Sequence, residues 1–346
     1  MTIKNLHIPR RSGIGEKGIT VLAGDIGGTK TNLAFYQATE TGLNMLCTGR
    51  YPSGEYSSCI AILQQFLSDN KCPAPDRICL GVAGPVLDGK VNLTNLSWDI
   101  DIKELKSAMG VEAVFLLNDL EAMAYGLAGL TEQDLITLHA GNENSTGNMA
   151  IIAPGTGLGE AGLYWNGANH FPFPTEGGHT DFSPRTDLDF ALLKFLQNEY
   201  GVVSYEKVVA GPAIVDLYRF LRDVKKMEEP TWLKDALDQE QQDSAVISGA
   251  AIEQKAAICV ETMSLFVRYL AREASNLVLK MKATGGLFLG GGIPPKIAPL
   301  LLQPHFMEHY MDCDRMQHLL VNVPIRIIKN DKTGLIGAAY YGAFLM

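Results

Sequence analysis

The chain has 346 residues, 47% of them hydrophobic and 19% charged, with a formal net charge of −9. That length and composition suit a soluble protein of two domains, each with its own core, and argue against a disordered or fibrous chain. The acidic balance argues against a nucleic-acid or anionic-membrane surface, so any phosphate the chain binds has to be met locally.

Six cysteines (Cys47, Cys59, Cys72, Cys79, Cys259, Cys313) include no C-x-x-C pair and no Cys/His cluster. This is the pattern of reduced thiols in a cytoplasm, not of a disulfide framework or a zinc site. No apolar stretch has the length of a signal peptide or a bilayer span, so no membrane partner is expected. Residues 1–18 mix Lys4, Pro9, Arg10, Arg11 and Lys17 with glycines and lack periodicity, and are expected to form an irregular, poorly ordered extension.

The apolar run Ile19–Ala23 ends in Gly24-Asp25, and Gly27-Gly28-Thr29-Lys30 lead into a second run, Leu33–Tyr36. The pattern predicts strand, tight turn, strand. Gly27 and Gly28 can take positive φ and bring backbone N–H groups within reach of an anion, while Thr29 adds a hydroxyl and Lys30 a positive charge. Asp25 would repel a phosphate held there, and a Mg²⁺ ion or its bound water between the two resolves the repulsion. Taken alone, the turn is equally a glycine-rich hairpin with polar tips. It matches neither the Walker loop nor the dinucleotide fingerprint.

Cys59, Ile60, Leu63, Phe66 and Leu67 have helical spacing, which stops at Cys72-Pro73. Arg77–Val82 and Lys90–Leu93 read as strands, the second leading to Thr94-Asn95-Leu96-Ser97-Trp98. The strand Val111–Leu117 delivers Asn118-Asp119 where a helix begins, and in open α/β sheets ligands gather at that strand end. Asp119 equally suits the role of helix cap.

Met149–Ala153 is a further strand, ending in Pro154-Gly155-Thr156-Gly157-Leu158-Gly159 before Ala161–Trp165 resumes an apolar run. The plan of the first hairpin thus recurs, a weak internal duplication, and two backbone cradles suit two ends of one polyphosphate. In Glu176-Gly177-Gly178-His179 a carboxylate and an imidazole flank two glycines, a mixture of acceptor and donor that fits a polyhydroxylated ligand and also a solvated loop. With no second histidine one helical turn away, metal ligation is not expected.

Asp187–Tyr200 is predicted as a helix ended by Gly201, and Ser204–Val209 as a short helix capped by Ser204, in which Glu206 is a first-turn acid. A helix from Pro212 to about Val224, a charged surface segment over Lys225–Asp243 and one or two buried helices over Ile252–Met281 follow. The strand Leu287–Leu289 stops at Gly290-Gly291-Gly292, which admits a flat ring or ribose or forms a plain turn. Lys296–Leu302 as helix, Val323–Ile328 as strand and Thr333–Leu345 as helix complete the chain.

The order of these motifs resembles the bacterial glucokinase family, the branch of the hexokinase and actin-like ATPase superfamily without a zinc signature. The resemblance runs from about Ile19 to the C-terminus and rests on eight motifs. They are G-D-I-G-G-T-K-T-N at Gly24–Asn32, G-V-A-G-P-V at Gly81–Val86, T-N-L-S-W at Thr94–Trp98, L-N-D-L-E-A at Leu117–Ala122, G-T-G-L-G at Gly155–Gly159, E-G-G-H-T-D-F at Glu176–Phe182, S-Y-E-K-V at Ser204–Val208 and L-G-G-G-I at Leu289–Ile293. The repressor–kinase relatives are expected to carry a Cys-rich loop beside E-G-x-H, and no cysteine cluster follows His179.

The resemblance implies an α/β fold of two actin-like (ribonuclease H-like) domains with the active site in the cleft between them. The domains would be 19–118 plus about 330–346, small, and 119–329, large, after the 1–18 extension. It implies ATP-dependent phosphorylation of D-glucose to glucose 6-phosphate, with Asp119 as catalytic base and Asn95, Asn118, Glu176, His179 and Glu206 as further sugar contacts. Asp25, Gly27, Gly28, Thr29 and Lys30 would lie on one side of the ATP phosphates and Gly155, Thr156 and Gly157 on the other. Gly290, Gly291 and Gly292 would lie near the adenosine, and Asp25 would hold Mg²⁺ through water. A cytoplasmic homodimer is a family expectation. Mannose, fructose or an N-acetylated hexosamine in place of glucose, ADP or polyphosphate as donor, and a non-catalytic sugar-binding regulator remain alternatives, although residues 1–18 are too short for a helix-turn-helix. An actin-like ATPase would have no use for E-G-G-H beside Asn118-Asp119.

Overall fold

A computed structural model of the chain describes residues 3–10, 14, 17–93, 96, 98–142, 144–239 and 243–345. The described residues divide into two compact units. One draws on Met1–Asp134, Leu163–Pro174 and Asn330–Met346, the other on Leu135–Gly162 and Thr175–Lys329.

In the first unit β1 (Ile19–Ile26), β2 (Lys30–Thr39) and β3 (Gly42–Pro52) form an antiparallel meander. Next come β4 (Arg77–Val82), the hairpin of β5 (Lys90–Leu93) and β6 (Trp98–Asp101), and β7 (Ala113–Asn118). The main sheet has the order β3-β2-β1-β4-β7, with β4 parallel to both its neighbours. Parallel strands are covered on both faces, which is why β4 reads as one apolar run. Helix α1 (Cys59–Asp69) starts where the Ser58 side chain accepts the Ala61 N–H at 3.2 Å, and it buries Cys59, Ile62, Leu63 and Phe66. Helix α2 (Ile102–Met109) is capped by Asp101 and ends at Gly110, φ +66°. Both lie with Leu22, Phe35, Ile78 and Trp98 in one core. Helix α3 (Asp119–Gly126) and the last helix of the chain share another core with Ala23, Ala34 and Cys79.

The second unit contains β8 (Leu135–His139), β9 (Met149–Pro154), β10 (Leu158–Trp165) and β11 (His170–Thr175), residues 163–174 of that last hairpin grouping with the first unit. Helices α4 (Asp187–Tyr200), α5 (Gly211–Asp223), α6 (Thr231–Gln239), α7 (Asp243–Ile252) and α8 (Ala257–Met281) come next. Then β12 (Gly286–Leu289), the short helices α9 (Ala298–Leu301), α10 (Pro304–Tyr310) and α11 (Gln317–Leu320), and β13 (Ile325–Ile328) complete the unit. Helix α12 (Thr333–Phe344) belongs to the first unit.

The sheet order here is β11-β10-β9-β12-β13-β8, with β9, β12 and β13 parallel. Apart from the antiparallel edge strand β8, this repeats the succession of the first sheet, so the weak duplication in the two turns extends to the topology. Long α8 is buried along most of its length, from Ile258 to Val278.

Three local expectations are corrected. Ser204–Val209 is not a capped helix but a single 3-10 turn, Tyr205–Lys207, and Ser204 makes no side-chain cap bond. The α3 cap is Asn118, and Asp119 is the first helical residue. In the N-terminal extension Ile3 and Ile14 are buried, the Arg10 guanidinium lies 3.7 Å from the Phe344 ring centroid, and the His7 carbonyl accepts the His170 N–H at 2.6 Å. The described part of the extension is thus docked; it lacks periodicity because it docks as an irregular strap.

Candidate functional site

In the first unit the parallel register sets Asp25 beside Gly81 and Gly81 beside Leu117, one step before Ile26, Val82 and Asn118. Asp25 on β1 and Asn118-Asp119 at the end of β7 therefore emerge at the same, carboxyl, edge of the parallel strands on either side of β4, where open α/β sheets bind ligands. Asn118 Oδ1 accepts the N–H groups of Leu120 at 2.9 Å and Glu121 at 3.3 Å, and its Nδ2 donates to the Gly84 carbonyl at 3.1 Å. The half-buried Asp119 accepts the Leu120 N–H through Oδ1 at 2.9 Å. Its carboxylate is thereby fixed to the start of α3.

The turn between β1 and β2 is closed by Gly27 N–H to the Lys30 carbonyl, 3.0 Å, and held from outside by Ser53. The Ser53 hydroxyl donates to the Gly27 carbonyl at 2.8 Å and its N–H to the Thr29 carbonyl at 3.1 Å. Neither Gly27 nor Gly28 adopts a positive φ, which corrects the expected reason for glycine there. At Gly27 the reason is room, since a Cβ would stand 3.0 Å from the Lys30 carbonyl. Thr29 and Lys30 are exposed.

Asp25 lines a cavity of about 300 Å³ with Asn32, Thr48, Arg50, Asp331 and Lys332. Burial pushes its carboxyl above the usual range, and a hydrogen bond from Asn32 Nδ2 at 3.3 Å pulls it part of the way back. A cavity of this size has room for a cation with its water shell, and Asp25 and Asp331 are the carboxylates on it, alongside the positive charges of Arg50 and Lys332.

In the second unit two glycine loops leave neighbouring parallel strands, Leu289 of β12 pairing with Ile152 of β9. Gly155 N–H bonds the Gly157 carbonyl at 2.8 Å, leaving Thr156 exposed at the tip, and the Gly155 carbonyl accepts the Gly211 N–H at the start of α5, also 2.8 Å. Gly290 N–H bonds the Ile152 carbonyl at 2.8 Å. Gly291 has φ +79°, and a Cβ on it would stand 2.5 Å from the Pro154 carbonyl, so only glycine lets the Gly290–Gly292 loop lie on the strand end that launches Gly155–Gly157.

Glu176 and His179 bracket a 3-10 turn, Gly177–His179, with Oε2 and Nε2 3.9 Å apart and both side chains exposed. The next residues pair with the Glu206 segment through Tyr205 N–H to Thr180 carbonyl and Phe182 N–H to Val203 carbonyl, each 2.9 Å. Glu206 Oε2 accepts the Leu158 N–H at 3.1 Å, so this carboxylate ties the E-G-G-H turn to the G-T-G-L-G turn. Asn95, with Thr94 and Ser97, lies outside the described residues.

Sequence reasoning missed Asn32, Ser53 and Gly84, which hold Asp25, the first turn and Asn118. It also missed Glu160 on β10, whose carboxylate occupies the space a side chain at Gly177 would need. Burial, and after it the charge of Glu273, pushes the Glu160 carboxyl up to about 8 against the opposing charge of Lys280. A lone acid within the apolar run Ala161–Leu163 and its flanks was its available signal.

The Glucokinase family model matches residues 22–344. A glucokinase of Nostoc punctiforme is 39% identical over 338 residues, covering 94% of this chain and 99% of its own. The crystal structure of a glucokinase from an Antarctic psychrotroph superimposes with a TM-score of 0.80 at 32% identity, covering 93% of this chain and 98% of its own. A glucokinase from Balamuthia mandrillaris, solved in complex with glucose, shares the fold with a TM-score of 0.79 at 21% identity, covering 95% of each chain. The chain belongs to the glucokinase family.

Proposed function

We propose that the chain transfers the γ-phosphoryl group of ATP to the 6-hydroxyl of D-glucose, the first unit supplying the small domain and the second the large domain of the kinase. The observation that carries this reading is the emergence of Asp25, Asn118 and Asp119 at one end of the parallel strands β1, β4 and β7. Asp119 accepts the 6-hydroxyl proton as that oxygen bonds to phosphorus and the bond to the departing ADP oxygen breaks. The transition state is largely dissociative, so placement of the carboxylate matters more than its basicity. Asn118 provides that placement by capping α3.

Glu176 accepts from sugar hydroxyls and His179 donates or accepts according to its tautomer, with Glu206 and Asn95 completing the sugar contacts. Gly27–Lys30 and Gly155–Gly157 present donors to the phosphates, and Gly290–Gly292 receive the adenosine. Asp25 would hold Mg²⁺, which would neutralise charge on the polyphosphate. Action as a cytoplasmic homodimer is part of the same proposal, tested by light scattering and fractionation.

A coupled assay across glucose, mannose, fructose and N-acetylated hexosamines, with ATP, ADP and polyphosphate as donors, tests substrate and donor. Asp119→Ala is expected to lower kcat by about 10²–10⁴-fold with ATP affinity nearly unchanged. Near-normal turnover in that variant would remove Asp119 from the role of base.

A further inference from the structure

Two carboxyl groups with no part in the phosphoryl transfer lie beneath the turn that carries Glu176 and His179. Glu160 on β10 is 2% exposed and Glu273 on α8 is 0% exposed, and the charge of Glu273 acts on the Glu160 carboxyl. Two like charges held out of water repel, so one of the two carboxyls keeps its proton. Glu273 is the better anion, because Lys280 Nζ donates to its Oε1 at 3.1 Å and Asn276 Nδ2 to its Oε2 at 2.9 Å. Glu160 receives neither: its Oε1 is buried without a hydrogen-bond partner, and its Oε2 fills the place of the side chain that Gly177 lacks.

The turn is bound to the same strand residue through Thr175, whose hydroxyl donates to the Glu160 carbonyl at 3.0 Å and accepts the Gly177 N–H at 3.2 Å. The other titratable or charged groups around the pair are Tyr205, whose hydroxyl accepts from Asn276 Nδ2 at 3.0 Å, the half-exposed Lys280, and Glu176 and His179 on the turn itself.

We propose that Glu160 is a positioning residue for the sugar: it stays protonated beside the anionic Glu273, and in this neutral form it is the floor on which Gly177 closes and from which Glu176 and His179 are aimed. The inference rests on the reading of Glu176 and His179 as sugar contacts. Loss of the proton puts two like charges in one dry space, with no cation or donor at Glu160 Oε1 to compensate, and the movable part of that enclosure is the turn. The upward shift of the Glu160 carboxyl to about 8 sets the break at a pH where the enzyme can be assayed.

The test is the glucose KM, ATP KM and kcat of the full chain from pH 6.5 to 9.5, with thermal unfolding over the same range, for the natural protein, Glu160→Gln and Lys280→Ala. The expected result is a glucose KM that rises about fivefold or more above pH 8, as a misdirected hydrogen-bonding pair would give, with ATP KM flat. Because the folded-state value of Glu160 is raised, its contribution to stability is present below the ordinary carboxylate range and is lost as pH rises toward about 8. Unfolding temperature should fall over that interval. Glu160→Gln flattens both curves, and Lys280→Ala, which removes the nearby positive charge from a half-exposed position, moves the break to higher pH.

Identical pH dependence in the natural protein and Glu160→Gln overturns the proposal, as does a break that Lys280→Ala moves downward. A shifted unfolding curve with a glucose KM that is flat in pH overturns the positioning role. Absence of glucose turnover in the natural protein overturns it through the kinase reading instead, a failure distinguished by the unfolding curves, which report the Glu160 proton without any substrate.

Discussion

Asn118 caps the helix that begins with Asp119, the proposed base, so its replacement tests the link between the two. The side chain is 6% exposed, accepts two N–H groups of the first turn of α3 and donates to the Gly84 carbonyl. Asn118→Ala loses the cap, about 1 kcal/mol, and the Gly84 bond, about another 1 kcal/mol, so the first unit should be less stable by about 2 kcal/mol. Since the cap fixes the backbone of Asp119, kcat should fall as well, by about 100-fold if the carboxylate moves by roughly 1 Å. Asn118→Asp keeps the acceptor and the favourable charge at the helix start but loses the donor to Gly84. It should cost about 1 kcal/mol in stability while lowering kcat at least as much, because a second negative charge then stands beside Asp119. Urea denaturation followed by circular dichroism measures the first quantity and a coupled kinase assay the second. An Asn118→Ala protein as stable as the natural one, or one whose kcat is intact, would refute the reasoning that the cap positions the base.

Gly291→Ala should raise the ATP KM without altering the glucose KM, since the residue has φ +79° and no room beside the Pro154 carbonyl; steady-state kinetics with each substrate varied decides it. Asp189 is fully buried and bound by Arg272 Nη1 at 2.7 Å and the Tyr269 hydroxyl at 3.0 Å, so Asp189→Ala strands the Arg272 charge and should cost about 3–5 kcal/mol in urea denaturation. Burial alone would raise the Asp189 carboxyl, but the Arg185 N–H, Arg272 and Tyr269 hold it below its usual range. Its stabilisation is therefore present above the ordinary carboxylate value and lost as pH falls through the depressed one, an acid step that Asp189→Asn should lack. Cys47 and Cys72 have their sulfurs 3.3 Å apart, and oxidised glutathione should convert them to an internal disulfide with release of two reduced glutathiones. Burial and the Cys47 hydrogen bond push the Cys72 thiol up to about 11, so the reaction should quicken as pH is raised, as read by intact mass; a mass that stays that of the dithiol at pH 9 would refute it.

The parts of the fold legible in the sequence are those whose residue types are dictated locally. Strands β4, β9 and β12 are covered on both faces and appear as apolar runs, and α4 announces itself by a Thr186 cap and Gly201 after its end. Strand β3 escaped notice because the residues on its more buried side over Leu46–Pro52 are Cys47, Gly49 and Tyr51, none of them fully buried, so the alternation carries little apolar contrast. The candidate site divides in the same way. Asp25, Asp119, Glu176 and the glycines stand in or beside turns whose composition advertises chemistry, whereas Ser53 reaches Gly27, Gly84 reaches Asn118 and Glu273 acts on Glu160 from elsewhere in the chain, and no spacing encodes the approach.

Glu160 shows what such a residue looks like before folding: an acid on the inner side of a strand whose neighbours Leu158, Ala161 and Leu163 are all buried. In isolation that is a defect in an apolar pattern. A buried charge without a partner would be severely destabilising, so the residue has to be neutral, paired or both once the chain is folded. Helix α8 brings Glu273 and Lys280 to it, and Gly177 leaves the room it occupies. The glycine that makes E-G-G-H recognisable in the sequence is thus explained by an acid that no motif contains, and a larger residue at 177 should be tolerated only when the side chain at 160 is shortened.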